Sequence, residues 1–92
     1  MADSDDGRLS TQELAEAALR TVKELTGYQT ESVTGLEWDG EEWQITVAAL
    51  ELARIPNTTD VIGEYQVKLD KRGTLRGYRR TGRHFRGQVD SA

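Results

Sequence analysis

The chain has 92 residues, enough for one hydrophobic core and not for two. Hydrophobic residues make up 36% and charged residues 30%, with no cysteine, which excludes a disulfide framework, a thiolate metal site and a thiol nucleophile. The net charge of -4 hides an asymmetry, because residues 1–64 hold 14 of the 16 acids while residues 65–92 hold 8 of the 12 bases. An acidic body with a basic end predicts a partner-facing surface at that end, intramolecular ion pairing, or head-to-tail self-association.

Residues 1–9 are polar and acidic and are expected to form a disordered lead. Met1 to Asp6 is acidic where a secretory signal is basic and then apolar, and no run reaches the ~18 apolar residues of a membrane span, so a cytoplasmic protein is expected. Ser10-Thr11-Gln12-Glu13 has the spacing of a capping box and starts a helix over about 10–26. Leu14, Ala18, Val22 and Leu25, with Ala15 and Leu19, form its apolar stripe, and Gly27 is suited to end it.

Beyond Gly27 the period changes to two. Thr30 to Trp38 is a first strand, with Gly35 as a candidate bulge. Asp39-Gly40 marks a turn, and Trp43, Ile45 and Val47 begin a second strand that can run to Leu52. A two-residue loop would pair Leu36 with Trp43; a four-residue loop would pair Trp38 with Trp43. Both registers keep the large apolar groups on one face, so periodicity does not choose. Arg54 to Asp60, with the sole proline Pro56, is a loop.

Val61 to Leu69 alternates as a third strand. Asp70-Lys71-Arg72-Gly73 is a type I turn with Gly73 left-handed. Counting back from it pairs Leu69 with Leu75 and Glu64 with Arg80. The fourth strand, about 74–82, then turns Leu75, Gly77 and Arg79 inward and Arg76, Tyr78 and Arg80 outward. Ile62, Tyr78 and the arginines would share the face that the helix leaves uncovered. Residues 87–92 are expected to fray. The domain is thus 10–86, an α+β fold with one N-terminal helix packed on a four-stranded antiparallel sheet made of two hairpins. Consecutive pairing makes a simple meander the default order.

Catalytic chemistry is not visible. The single histidine, His84, sits in the basic end with no orienting carboxylate apparent, Glu41-Glu42 flank a turn, and the glycines are scattered. No enzyme activity, cofactor or metal is expected. The distinctive stretch is Leu75 to Arg86, which interleaves arginines with Tyr78 and Phe85. Such a pattern suits phosphate contact with base stacking, yet an isoelectric point near 4.9 argues against a dedicated nucleic-acid binder. A protein contact suits it better, since arginine and tyrosine are enriched at interface hot spots. The candidate partner-binding residues are Arg54, Asp60, Arg76, Tyr78, Arg79, Arg80, Arg83, Phe85 and Arg86. The two tryptophans are expected to anchor the core.

An ordered series of short motifs then carries a resemblance. Leu25-Thr26-Gly27 is followed by Val33-Thr34-Gly35-Leu36-Glu37, Gly40-Glu41-Glu42-Trp43 and Val47 to Glu51. Next come Arg54-Ile55-Pro56-Asn57-Thr58-Thr59-Asp60 and Tyr65-Gln66-Val67-Lys68-Leu69-Asp70. Gly73, Leu75, Gly77-Tyr78-Arg79-Arg80 and Arg83-His84-Phe85-Arg86-Gly87 complete it. Over residues 12–87 the chain resembles the gas vesicle protein O family. The resemblance implies an accessory or minor component in gas vesicle formation, associated with the vesicle, and supplies no catalytic residues. It implies other gas vesicle proteins, shell or accessory, as partners. A mean hydropathy of -0.67 agrees, being too polar for a wall that repels liquid water. The alternative from another class is a nucleic-acid-binding regulator of gas vesicle expression.

Overall fold

Reciprocal hydrogen bonds start the only α-helix among the described residues. Ser10 Oγ accepts the Glu13 N–H at 3.1 Å, and Glu13 Oε1 accepts the Ser10 N–H at 2.9 Å. Helix α1 therefore runs Thr11–Thr26 in the computed structural model, which describes residues 9–87. Gly27 ends it at φ 80°, donating its N–H to Lys23 O at 2.8 Å. Leu14, Ala17, Ala18 and Val22 are buried, but Leu25 of the expected stripe is 46% exposed, because it lies in the last turn.

Four strands follow: β1 Gln29–Trp38, β2 Trp43–Leu52, β3 Val61–Leu69 and β4 Leu75–Phe85. They form one antiparallel meander in the order β1-β2-β3-β4. The four-residue loop is the one adopted, with Trp38 opposite Trp43 and Leu36 opposite Ile45. Asp39 fixes this loop: its Oδ1 accepts the N–H groups of Glu41 and Glu42, both at 2.9 Å. Gly40 (φ 106°) and Gly73 (φ 87°) supply the left-handed residues of the two hairpin turns. The core lies between α1 and one sheet face, with Ile45, Val47, Val67 and Leu69 fully buried beneath the helix. Trp43 packs against this core, whereas Trp38 is 45% exposed, so only one tryptophan anchors it.

The terminal assignments need adjustment where they can be seen. Residues 1–8 of the lead and 88–92 of the tail lie outside the described residues. Leu9 packs against the core and donates its N–H to Lys71 O at 3.0 Å. Gly87 donates its N–H to Thr58 O at 2.8 Å. Strand β4 continues past residue 82 to Phe85, so His84 belongs to the sheet and not to a tail.

Two bulges overturn the expected facing of β4. Lys68 pairs with Gly77 while Leu69 pairs with Leu75, which leaves Arg76 as an extra residue. Thr81 is a second extra residue, since Glu64 pairs with Gly82 and Tyr65 with Arg80. Directly paired residues share a face. Tyr78, opposite Val67, and Arg80, opposite Tyr65, therefore stand on the helix side, and Gly77 and Arg79 stand on the other. Glu64 does not pair with Arg80, and Ile62 does not share a face with Tyr78. One inserted residue reverses every side chain after it.

A third bulge, between Leu50 and Leu52, leaves Glu51 as an unpaired extra residue of β2 on the helix side. Its carboxylate reaches over Gly63, where a Cβ would collide with it. Tyr65 Oη donates to Glu51 Oε2 at 2.6 Å; Arg80 donates through Nε at 2.9 Å and Nη2 at 2.6 Å. The Glu51 side chain is 8% exposed. Burial opposes its ionisation, but the hydrogen bonds from Arg80 and Tyr65 prevail and hold its pKa below the usual carboxylate value. Burial, then the hydrogen bond to Glu51 and its charge, push the Tyr65 phenol well up.

Two predictions follow from this hub. Gly63→Ala should destabilise the domain by about 1–3 kcal/mol, the range for overpacking. In a Glu51→Ala background most of that cost should vanish, as read by a double-mutant cycle in urea; equal costs in both backgrounds would remove Glu51 as the obstacle. The folded pKa of Glu51 is depressed, so its contribution is present above the unfolded value of about 4.3 and is lost as pH falls through the folded value. Glu51→Gln should therefore cost roughly 1–2 kcal/mol at pH 7, allowing for the solvated Arg80. That difference should shrink below about pH 4.

Candidate functional site

Helix α1 rests on β1, β2 and β3, chiefly on β1. It stops at Thr26, so the end of the sheet where β2 finishes and β4 finishes is left open on the helix side. An open groove of about 690 Å³ lies there. Its apolar lining includes Tyr28, Leu52, Tyr65 and Phe85, and Arg54 and Arg83 add charge. Leu52 and Phe85 are each about half exposed. Both flank Val61 in the sheet, opposite it on β2 and on β4 respectively.

The guanidinium groups named from the sequence do not form one surface. Arg80 is committed to Glu51 on the groove side. Arg86 spans two carboxylates, with Nε on Asp60 Oδ2 at 2.9 Å and Nη2 on Glu31 Oε2 at 2.7 Å. It ties the segment after β4 to β1 and to the start of β3, and its backbone N–H also donates to Asp60 O at 2.8 Å. Glu31 is the extra residue of a bulge in β1. Among the described residues, Arg54, Arg76, Arg79 and Arg83 make no ion pair. Arg54 and Arg83 border the groove, Arg79 is on the opposite face, and Arg76 is the bulged residue at the start of β4.

Asp60 is buried and works structurally. Its Oδ1 accepts the Arg54 N–H at 2.7 Å, which closes the 54–60 loop around the short 3₁₀ turn Asn57–Thr59. That backbone donor comes first and outweighs burial; Arg86 adds to it, and the pKa of Asp60 is held below the ordinary carboxylate value. Tyr78 stacks on Tyr65 with ring centroids 6.4 Å apart, extending the aromatic surface along β4. Thus Arg54, Arg83 and Phe85 line the groove and Tyr78 lies along its flank, while Asp60, Arg80 and Arg86 hold the frame.

Sequence reasoning missed Glu51, Leu52 and Tyr28. The glycine at 63 opposite a strand carrying a lone acid was the available hint for Glu51, since a glycine inside a strand signals a close approach. Chemically the groove can take up negative charge beside apolar groups. Its one acid, Glu51, has both oxygens hydrogen-bonded and is not a free base. No group of three metal-ligating side chains gathers among the described residues. No helix among them is long and apolar enough to cross a membrane.

Comparison with known proteins bears on the whole domain. The chain matches the family described as Gas vesicle synthesis protein GvpO over residues 1–90. It is 44% identical over 73 residues to gas vesicle protein O of a Streptomyces species, covering 79% of this chain and 57% of that protein. Gas vesicle protein O of Haloferax mediterranei is 31% identical over 87 residues, 94% of this chain and 62% of that one. Gas vesicle protein O1 of Halobacterium salinarum is 32% identical over 72 residues, 78% of this chain and 60% of that one. The chain thus spans about six tenths of the length of these curated relatives. No solved structure matches it. The match over nearly all 92 residues places the chain in the gas vesicle synthesis protein GvpO family.

Proposed function

We propose that this chain is a non-catalytic accessory or minor structural protein of gas vesicle formation, acting by contacts with other gas vesicle proteins. Family membership supports the vesicle role. The observation that carries the mode of action is a set of arginines that the fold does not consume. Arg80 and Arg86 are paired inside the domain, whereas Arg54, Arg76, Arg79 and Arg83 make no ion pair among the described residues; Arg54 and Arg83 line the groove with Phe85, and Arg79 lies on the opposite face of β4. Arginine presents a planar fork that matches carboxylates, and aromatic neighbours add apolar area at low entropic cost. The protein works at the growing vesicle and binds shell or accessory proteins there.

The test separates surface from frame. Arg79→Glu/Arg83→Glu should keep the thermal midpoint within a few degrees of the parent and reduce vesicle yield several-fold in cells that depend on this protein. Arg86→Ala should instead lower the midpoint, because it strips Asp60 and Glu31 of their shared partner. Normal vesicle yield with the folded double reversal would reject the contact surface. The same arginines beside Tyr78 and Phe85 also suit a nucleic-acid-binding regulator. That reading requires binding to single-stranded RNA or duplex DNA that falls steeply with salt. A flat titration at low salt disposes of it.

A further inference from the structure

The two ends of the sheet are complementary. At one end lies the groove, with exposed Leu52 and Phe85 beside Arg54 and Arg83. At the other, the β1–β2 hairpin presents Trp38, 45% exposed, within the run Glu37-Trp38-Asp39-Gly40-Glu41-Glu42. Hydrogen bonds from the Glu42 and Glu41 N–H groups and from Gln44 hold Asp39 ionised. Trp38 leans on Trp43, with ring centroids 5.4 Å apart, so its indole is held at the tip while half of it faces solvent. The tip is therefore an acidic projection with one large apolar anchor, and the groove is a basic concavity with an apolar lining.

We propose that the groove of one molecule receives the β1–β2 hairpin tip of a second copy. The anchor is Trp38 against Leu52 and Phe85, and the acids Glu37 and Glu41 meet Arg83 and Arg54. Trp38 and Leu52 close opposite ends of the β1–β2 hairpin, so the contact does not form within one molecule. It is heterologous: each molecule keeps a free groove and a free tip, and association continues head to tail. Strand addition at the sheet edges is the poorer route. Both β1 and β4 carry two bulges, which protect an edge from pairing. The neighbouring β3–β4 turn carries Lys71 and Arg72, so the acidic tip, and not the whole end of the sheet, is the complementary element. This contact is independent of the vesicle role, and its test needs only purified protein.

The experiment uses two full-chain variants, each disabling one end. Glu37→Lys/Glu41→Lys reverses the tip charge; Arg54→Ala/Arg83→Ala removes the groove charge, so the two altered ends have no attraction for each other. The parent should show a weight-average mass that rises with concentration in analytical ultracentrifugation at low salt and returns to the monomer at about 0.5 M salt. Each variant alone should remain monomeric. Their equimolar mixture should reach a dimer and go no further, since only the intact groove of one and the intact tip of the other can meet. Trp38→Ala should weaken parental association at least about tenfold, with an unchanged thermal unfolding midpoint confirming the fold. A monomeric parent up to about 1 mM at low salt overturns the proposal. So does a variant that still associates alone, or a mixture that stays monomeric, and each of these results leaves the accessory role standing.

Discussion

A single buried carboxylate organises the open side of this sheet. Taking Glu51 out of water is unfavourable unless its oxygens are matched by donors, and a cation is the most effective match. Tyr65 on β3 and Arg80 on β4 provide that match, so one carboxylate from β2 fastens three consecutive strands on the side the helix leaves bare. The missing Cβ at Gly63 makes room for it. Alternation along β2 puts Glu51 on the helix side with Val47 and Ala49, and the bulge brings Leu52 to that side as well.

The same bond divides the arginines into two kinds. Arg80 commits its charge to the frame, and Arg86 does so at the end of the sheet by bridging Asp60 and Glu31. Those pairs answer the charge asymmetry of the chain from within, because acids of the first two-thirds meet bases of the last third. The pairing is incomplete. Arg54 and Arg83 are left at the rim of an apolar groove, and Arg76 and Arg79 elsewhere on the surface. Solvated guanidinium groups beside half-exposed Leu52 and Phe85 offer positive charge and apolar area together.

Short-range chemistry made much of the fold legible. The Ser10–Glu13 box, Gly27, the Asp39-Gly40 turn and Gly73 act on neighbours within four residues, so sequence spacing alone locates them. The helix, four strands and meander follow from these and from the alternating apolar residues of β2 and β3. The length of β4 was less visible. Its last residues, Arg83 to Phe85, are neither apolar alternation nor turn, and they are held by pairing with Val61 to Gly63.

What the sequence by itself determined is the inventory of elements, their order and the supply of arginines and aromatics at the basic end. What only the tertiary structure decided is which of those arginines face outward from which side. That outcome turns on the extra residues at Glu31, Glu51, Arg76 and Thr81, each a property of a strand and its partner together. A bulge costs one residue locally and reverses the facing of the residues that follow, so a period-of-two argument carried past it places Tyr78 and Arg80 on the wrong face. The physical reason is that the hydrogen-bonded ladder, and not the chain's own periodicity, sets where each side chain of β4 points.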